Sequence, residues 1–151
     1  MVEILLKKDK TRPLNILLVE DDDGDAKAVK RTFSKAKVVN PIVRAIDGIE
    51  ALEILRGESG KEKIPTPYIL LVDLNMPRMN GIQFVQELRK DPELKKSIVF
   101  ILSTSKSEED KAKAYELNVA GYIVKETAGQ DFLNLVSMID SYWKLVELPN
   151  Q

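Results

Sequence analysis

Short, uninterrupted apolar runs recur along this chain, and each stops on a charged or hydroxylic residue. Runs such as Ile16-Leu17-Leu18-Val19 and Ile69-Leu70-Leu71-Val72 are too short for helices and too uniformly apolar for strands with one wet face. They predict strands buried on both faces. On this pattern strands are expected over Leu14–Glu20, Ile42–Ile46, Ile69–Val72, Ile98–Leu102 and Gly121–Lys125.

Between the runs the apolar positions recur at helical spacing. Ala26, Val29, Phe33 and Ala36 line a first helix, expected to be capped by Asp23 or Asp25. Ile49, Leu52, Ile54 and Leu55 line a second, and Ile82, Val85 and Leu88 a third that stops near Asp91-Pro92. A fourth is predicted from Ser107 to Leu117, with Ser107 as cap and Glu108, Glu109 and Asp110 favouring the positive end of its dipole. Phe132, Leu135, Val136, Ile139, Trp143 and Val146 predict a fifth before Pro149. Asn40-Pro41 and Asp47-Gly48 mark turns, and residues 56–67, with two glycines and two prolines, predict an exposed excursion. Strands that alternate with helices must be joined by crossovers, so the expected fold class is α/β, a five-stranded doubly wound parallel sheet with five helices. The expected organisation is an N-terminal arm over 1–13, one domain over 14–146 and a tail over 147–151.

If the strands are parallel, their C-terminal ends share one edge of the sheet, where loops diverge and leave a crevice. Glu20-Asp21, Asp73, Ser103 and Lys125 would then meet there, although they are scattered along the sequence. Three carboxylates in one crevice repel, by roughly 4 kcal/mol for a pair about 4 Å apart at an effective dielectric near 20. A hard divalent cation relieves that repulsion, and Mg²⁺ suits an all-oxygen, water-rich site. Lys125 adds a fixed positive charge and Ser103 a hydroxyl, groups that suit a phosphoryl group carried on a carboxylate.

Composition narrows the chemistry. With no cysteine and no histidine in 151 residues, thiolate metal sites, disulfides, phosphohistidine and the usual general base are excluded. Lys+Arg 23 against Asp+Glu 24 leaves a net charge of -1, so no basic field for nucleic acid exists and no nucleic-acid partner is expected. No apolar run reaches membrane-spanning length and the N-terminus lacks a signal-peptide core, so a cytoplasmic protein without membrane contact is expected.

Glu20-Asp21 after strand one, Asp73-Leu-Asn-Met-Pro-Arg-Met-Asn-Gly after strand three, Ser103-Thr104 after strand four and Lys125 after strand five resemble the response-regulator receiver domain of two-component signalling, a flavodoxin-like fold. The resemblance covers roughly residues 14–146. The loop at 56–67, Ser103-Thr104-Ser105 and the tail through Tyr142-Trp143 to Leu148-Pro149 resemble more narrowly the small regulators that partner bacterial phytochromes.

This resemblance implies that Asp73 is the phosphoacceptor, that Asp21 ligates Mg²⁺ directly and Glu20 through water, and that Asn75 offers its backbone carbonyl to the metal. It implies that Ser103 and Lys125 bind phosphoryl oxygens, and that Tyr122 is the aromatic switch residue. Two positions depart from the family pattern: Glu126 stands where proline usually follows the lysine, so an altered loop is expected there, and Thr104 replaces a smaller residue, narrowing water's access to the phosphate.

The protein is therefore expected to be a phosphoacceptor switch, taking part in its own phosphoryl transfer and slow dephosphorylation but not otherwise an enzyme. Its expected partners are a sensor histidine kinase, with phytochromes the class indicated by the narrower resemblance, and a downstream protein target. With no effector segment after residue 151, output is expected through association. A homodimer is expected through the fourth-helix, fifth-strand and fifth-helix face or through the tail, where Leu133, Met138, Tyr142, Trp143 and Leu145 exceed what the core needs. A flavodoxin-like electron carrier would not place five acids where a cofactor phosphate must sit, and a haloacid-dehalogenase-type phosphatase would need an acid at Asn75. An unphosphorylated receiver-fold scaffold is the alternative.

Overall fold

The computed structural model describes residues 13–35, 37, 40–76, 78–124, 138 and 141. Within them the chain runs β1 (Asn15–Val19), α1 (Asp23–Lys35), β2 (Ile42–Ala45), α2 (Gly48–Arg56), β3 (Tyr68–Asp73), α3 (Gly81–Lys90), β4 (Val99–Ser103), α4 (Glu108–Glu116) and β5 (Gly121–Val124). All neighbouring strands are parallel, in the order β2-β1-β3-β4-β5. The doubly wound parallel sheet is therefore present, with four helices among the described residues. The predicted fifth helix, apart from Met138 and Ser141, and the N-terminal arm, Lys125, Glu126 and the tail lie outside them.

β1, β3 and β4 are buried at every position, as their unbroken apolar runs require. Successive residues point to opposite faces and divide between two cores. Leu17, Val19, Leu70, Val72 and Ile101 pack with Ala51, Leu55, Phe84, Leu88 and Ala114 of α2, α3 and α4. On the other face Ile16, Leu18, Ile69, Leu71 and Phe100 pack with Ala26, Val29 and Phe33 of α1. Each large apolar side chain so buried stabilises the fold by about 1.5–3 kcal/mol before chain entropy is counted.

Three local expectations change. α1 is capped neither by Asp23 nor by Asp25: Asp22 Oδ1 accepts the Asp25 N–H at 2.8 Å, because the helix starts at Asp23 and the cap must precede it. β4 is Val99–Ser103, one residue further along than the expected Ile98–Leu102, while Asp73 stands at the C-terminal end of β3 as expected. The segment 56–67 is not wholly exposed. Its Ile64 is buried and donates its N–H to Ile54, while Asn15 Nδ2 donates to Pro65 and Pro67. Among the described residues no helix is long and apolar enough to cross a membrane.

Candidate functional site at the C-terminal edge of the sheet

β1 has neighbours on both sides, so the loops leaving β1 and β3 turn to opposite faces and open a crevice between the two strand ends. Val19 pairs with Val72, which sets Glu20 beside Asp73. Carboxylate oxygens of Glu20, Asp21 and Asp73 all lie within 4.8 Å of one another. Glu20 and Asp73 are buried and Asp21 is exposed, so the cluster opens to solvent through Asp21. An all-carboxylate set with one wet side fits Mg²⁺, which binds through a few carboxylates and keeps several waters.

The loop after Asp73 is closed at its base by Gly81 N–H donating to Leu74 O at 2.9 Å. A Cβ on Gly81 would run into the Asp73 carbonyl oxygen and lie 2.8 Å from Leu74 Cα, so only glycine lets α3 start this close to the strand end. Asn80 then caps α3 in a reciprocal capping box with Gln83. Asn75 stands exposed on this loop and lines a polar groove with Asn80, Gln83, Gln86, Asp110 and Lys113.

On the next strand Ser103 is fully buried, and its Oγ accepts the N–H of Ser105 at 3.0 Å. Tyr122 on β5, two residues from Ser103's register partner Val124, donates its hydroxyl to the Ser105 carbonyl at 2.9 Å. Ser105 Oγ in turn donates to Asp110 Oδ2 in the first turn of α4, at 2.5 Å. The strand-end hydroxyl, the aromatic ring and α4 are thus joined through one residue. Thr104 is exposed between them. Of the residues singled out in the sequence, Glu20, Asp21 and Asp73 come together, Asn75, Ser103 and Thr104 stand on the same sheet edge or its loops, Tyr122 reaches that edge from within β5 through its hydroxyl, and Lys125 lies outside the described residues.

Sequence reasoning missed the cations that hold the loops. Arg44 Nε donates to Glu20 O at 3.0 Å, Nη2 to Asp21 O at 3.0 Å and Nη1 to Asp23 Oδ1 at 2.6 Å. That guanidinium holds the Asp23 carboxyl below its ordinary pKa. Arg78 pairs with Asp47, which on the sequence pattern only breaks a strand but in the structure caps α2 through Glu50 N–H. A signal for the cap was present, since Glu50 follows Asp47 by three residues in the manner of a capping box. Ser105 was visible only as part of a hydroxyl run.

The chain matches the response regulator receiver domain family over residues 16–137. It is 32% identical over 145 residues to the response regulator Rcp1 of Synechocystis, an alignment that covers 95% of this chain and 99% of that protein. The crystal structure of the Mn²⁺-bound form of Rcp1 superposes with a TM-score of 0.77 at 33% identity, over 91% of this chain and 100% of the other. The phosphorylated cyanobacterial phytochrome response regulator RcpA superposes with a TM-score of 0.79 at 32% identity, over 92% and 100%.

Proposed function

This chain belongs to the response regulator receiver domain family, and from that premise we propose that Asp73 is the residue that accepts a phosphoryl group from a sensor histidine kinase. The observation that carries the reading is the convergence of Glu20, Asp21 and Asp73 within 4.8 Å at the ends of two adjacent parallel strands. In the transfer a carboxylate oxygen of Asp73 forms the new P–O bond as the P–N bond to the donor imidazole breaks.

Glu20, Asp21 and Asp73 with the backbone carbonyl of Asn75 form the proposed Mg²⁺ set. Bound Mg²⁺ supplies charge neutralisation for the phosphoryl oxygens. Asp73 is held at the strand end by the ladder to Leu102, so the nucleophile needs no reordering before attack. Ser103 presents the hydroxyl for one phosphoryl oxygen, and we assign Lys125 to another. A Ser103 drawn toward the phosphate loosens its bond to Ser105 N–H, and with it the Tyr122 and Asp110 contacts that reach α4. Thr104 flanks the entrance for water.

The similarity to RcpA favours a phytochrome-class kinase as donor. We further read the receiver unit as 14–146, between an arm over 1–13 and a tail over 147–151. On this reading the protein is cytoplasmic, self-resetting by slow hydrolysis, and signals by association with a downstream protein and with a second copy of itself.

The test is loading with a small-molecule phosphodonor, followed by intact-mass measurement. Wild type in Mg²⁺ gains the mass of one phosphoryl group and loses that gain in chelator, while Asp73→Asn gains none. Loading of the Asn variant would refute the assignment of Asp73, and no loading of wild type would leave the unphosphorylated scaffold as the better reading.

A further inference from the structure

Five acids in six residues follow β1, yet only Glu20 and Asp21 join Asp73 in the cation cluster. Repulsion within such a run gives the chain no preference for that arrangement over a splayed one. Asp22 is removed from the contest by capping α1. The backbone of Glu20 and Asp21 and the carboxylate of Asp23 are held by one side chain from the neighbouring edge strand. Arg44 stands opposite Leu18 on β2 and turns its guanidinium across the loop, with the side chain only 20% exposed. Its three donors reach three acceptors within four residues: the carbonyls of Glu20 and Asp21 and the carboxylate of Asp23. Glu20 N–H donates to Ala45 O at 2.9 Å, so the peptide units on both sides of Glu20 are tied to β2.

Resting on the reading of Glu20, Asp21 and Asp73 as the cation site, we infer that Arg44 is a positioning residue for that site. It fixes the backbone from which Glu20 and Asp21 project and draws Asp23 away from the cluster. Only a planar fork suits this arrangement, because a lysine ammonium is a point charge that cannot hold the three divergent acceptors in one geometry. Groups that orient metal ligands without touching the metal commonly govern affinity by ten- to a hundredfold.

The sign of the effect separates this role from a simple field effect. Arg44 carries positive charge beside a site for a positive ion, so by its field alone it opposes binding, and its removal would tighten the site. By positioning, its removal loosens it. The experiment is a titration of full-length protein with Mn²⁺, followed by the ion's electron paramagnetic resonance signal, for wild type, Arg44→Gln and Arg44→Lys. Melting in chelator shows that each variant is folded at the titration temperature.

Both variants should bind Mn²⁺ about ten- to a hundredfold more weakly than wild type, although the lysine variant keeps the charge. If the Gln variant does not fold, the Lys variant decides. A Lys variant that binds as tightly as wild type, or a Gln variant that binds more tightly, overturns the inference while leaving the cation site standing. Wild type that binds no Mn²⁺ overturns the site and this inference together.

Discussion

Arg78 Nε lies 2.6 Å from Asp47 Oδ2, joining the loop that follows Asp73 to the turn that opens α2. Asp47 is only 2% exposed, and Arg78 adopts a left-handed backbone with φ 60°, an unusual conformation for a residue with a side chain. Gly48 N–H donates to Met79 O beside the pair, at 3.3 Å. The loop after Asp73 is thereby fastened to the turn that opens α2.

The pair makes stability depend on acid. Burial pushes the Asp47 carboxyl up, but the Arg78 guanidinium and the Glu50 N–H outweigh it and hold the carboxyl below its ordinary value of 3.8. A depressed pKa in the folded state means that the unfolded chain takes up the proton first as pH falls. The contribution is therefore complete above the unfolded value and fades as pH drops through the folded one. Urea unfolding should show wild type ahead of Asp47→Asn by about 2 kcal/mol at neutral pH, a charge-assisted hydrogen bond's worth. That lead should shrink by about pH 3.5, and a lead that is the same at both pH values would contradict the linkage.

Charge repulsion at the cluster predicts the opposite sign for Asp73. In chelator, Asp73→Asn should melt higher than wild type, because one of three carboxylates within 4.8 Å becomes neutral. The Coulomb scale is roughly 3 kcal/mol per pair at an effective dielectric of 20, so a gain of several degrees is expected. Saturating Mg²⁺ should raise wild type by about 2.7 kcal/mol at a hundredfold excess over its dissociation constant, and raise the variant less. Parallel melting curves with and without Mg²⁺ measure both. A variant that melts lower than wild type in chelator would argue against repulsion.

Gly81→Ala tests the close approach of α3 to the strand end. The added methyl meets the backbone of Asp73 and Leu74, which cannot swing aside as a flexible side chain would. Overpacking of this kind costs about 1–3 kcal/mol. Because the atom displaced is the Asp73 carbonyl oxygen, Mg²⁺ stabilisation should fall as well. Urea unfolding in chelator and in Mg²⁺ separates the two losses, and wild-type values in both would refute the packing argument.

Arg89 on α3 shows how much one half-buried cation can hold without a carboxylate. Its guanidinium donates to the carbonyls of Lys95 and Ser97 at 2.8 Å, Leu117 at 2.7 Å and Asn118 at 3.0 Å, joining the ends of α3 and α4 to the approach to β4. Burial lowers its pKa. Arg89→Ala should cost about 3 kcal/mol in urea unfolding, since charge-assisted bonds are lost and carbonyls are left unmet. Arg89→Lys should recover less than half of that, having one donor centre in place of the fork. Full recovery by lysine would show that charge alone suffices.

The sheet and the convergence at its edge were legible in the sequence because burial writes itself into local composition. A strand covered on both faces must be apolar at each position, as Ile69–Val72 is, so the polar residue that ends the run announces the strand's end. Parallel direction then sends Glu20, Asp73 and Ser103 to one edge without any knowledge of distances. What the sequence determined by itself was thus the set of residues that meet.

Only the tertiary structure decided how each is held. Nothing local separates Arg44, Arg78 and Arg89 from the other members of the 23 lysines and arginines, because a long side chain finds its partner across 23, 31 or 28 positions of sequence. The division of labour in the acidic loop is of the same kind. Asp22, Asp23 and Asp21 are alike in composition, and their roles differ because a helix begins at Asp23 and a guanidinium from β2 reaches over the backbone behind Asp21. Those are facts of distance and direction between elements, which hydrophobic patterning, a property of each element alone, does not carry.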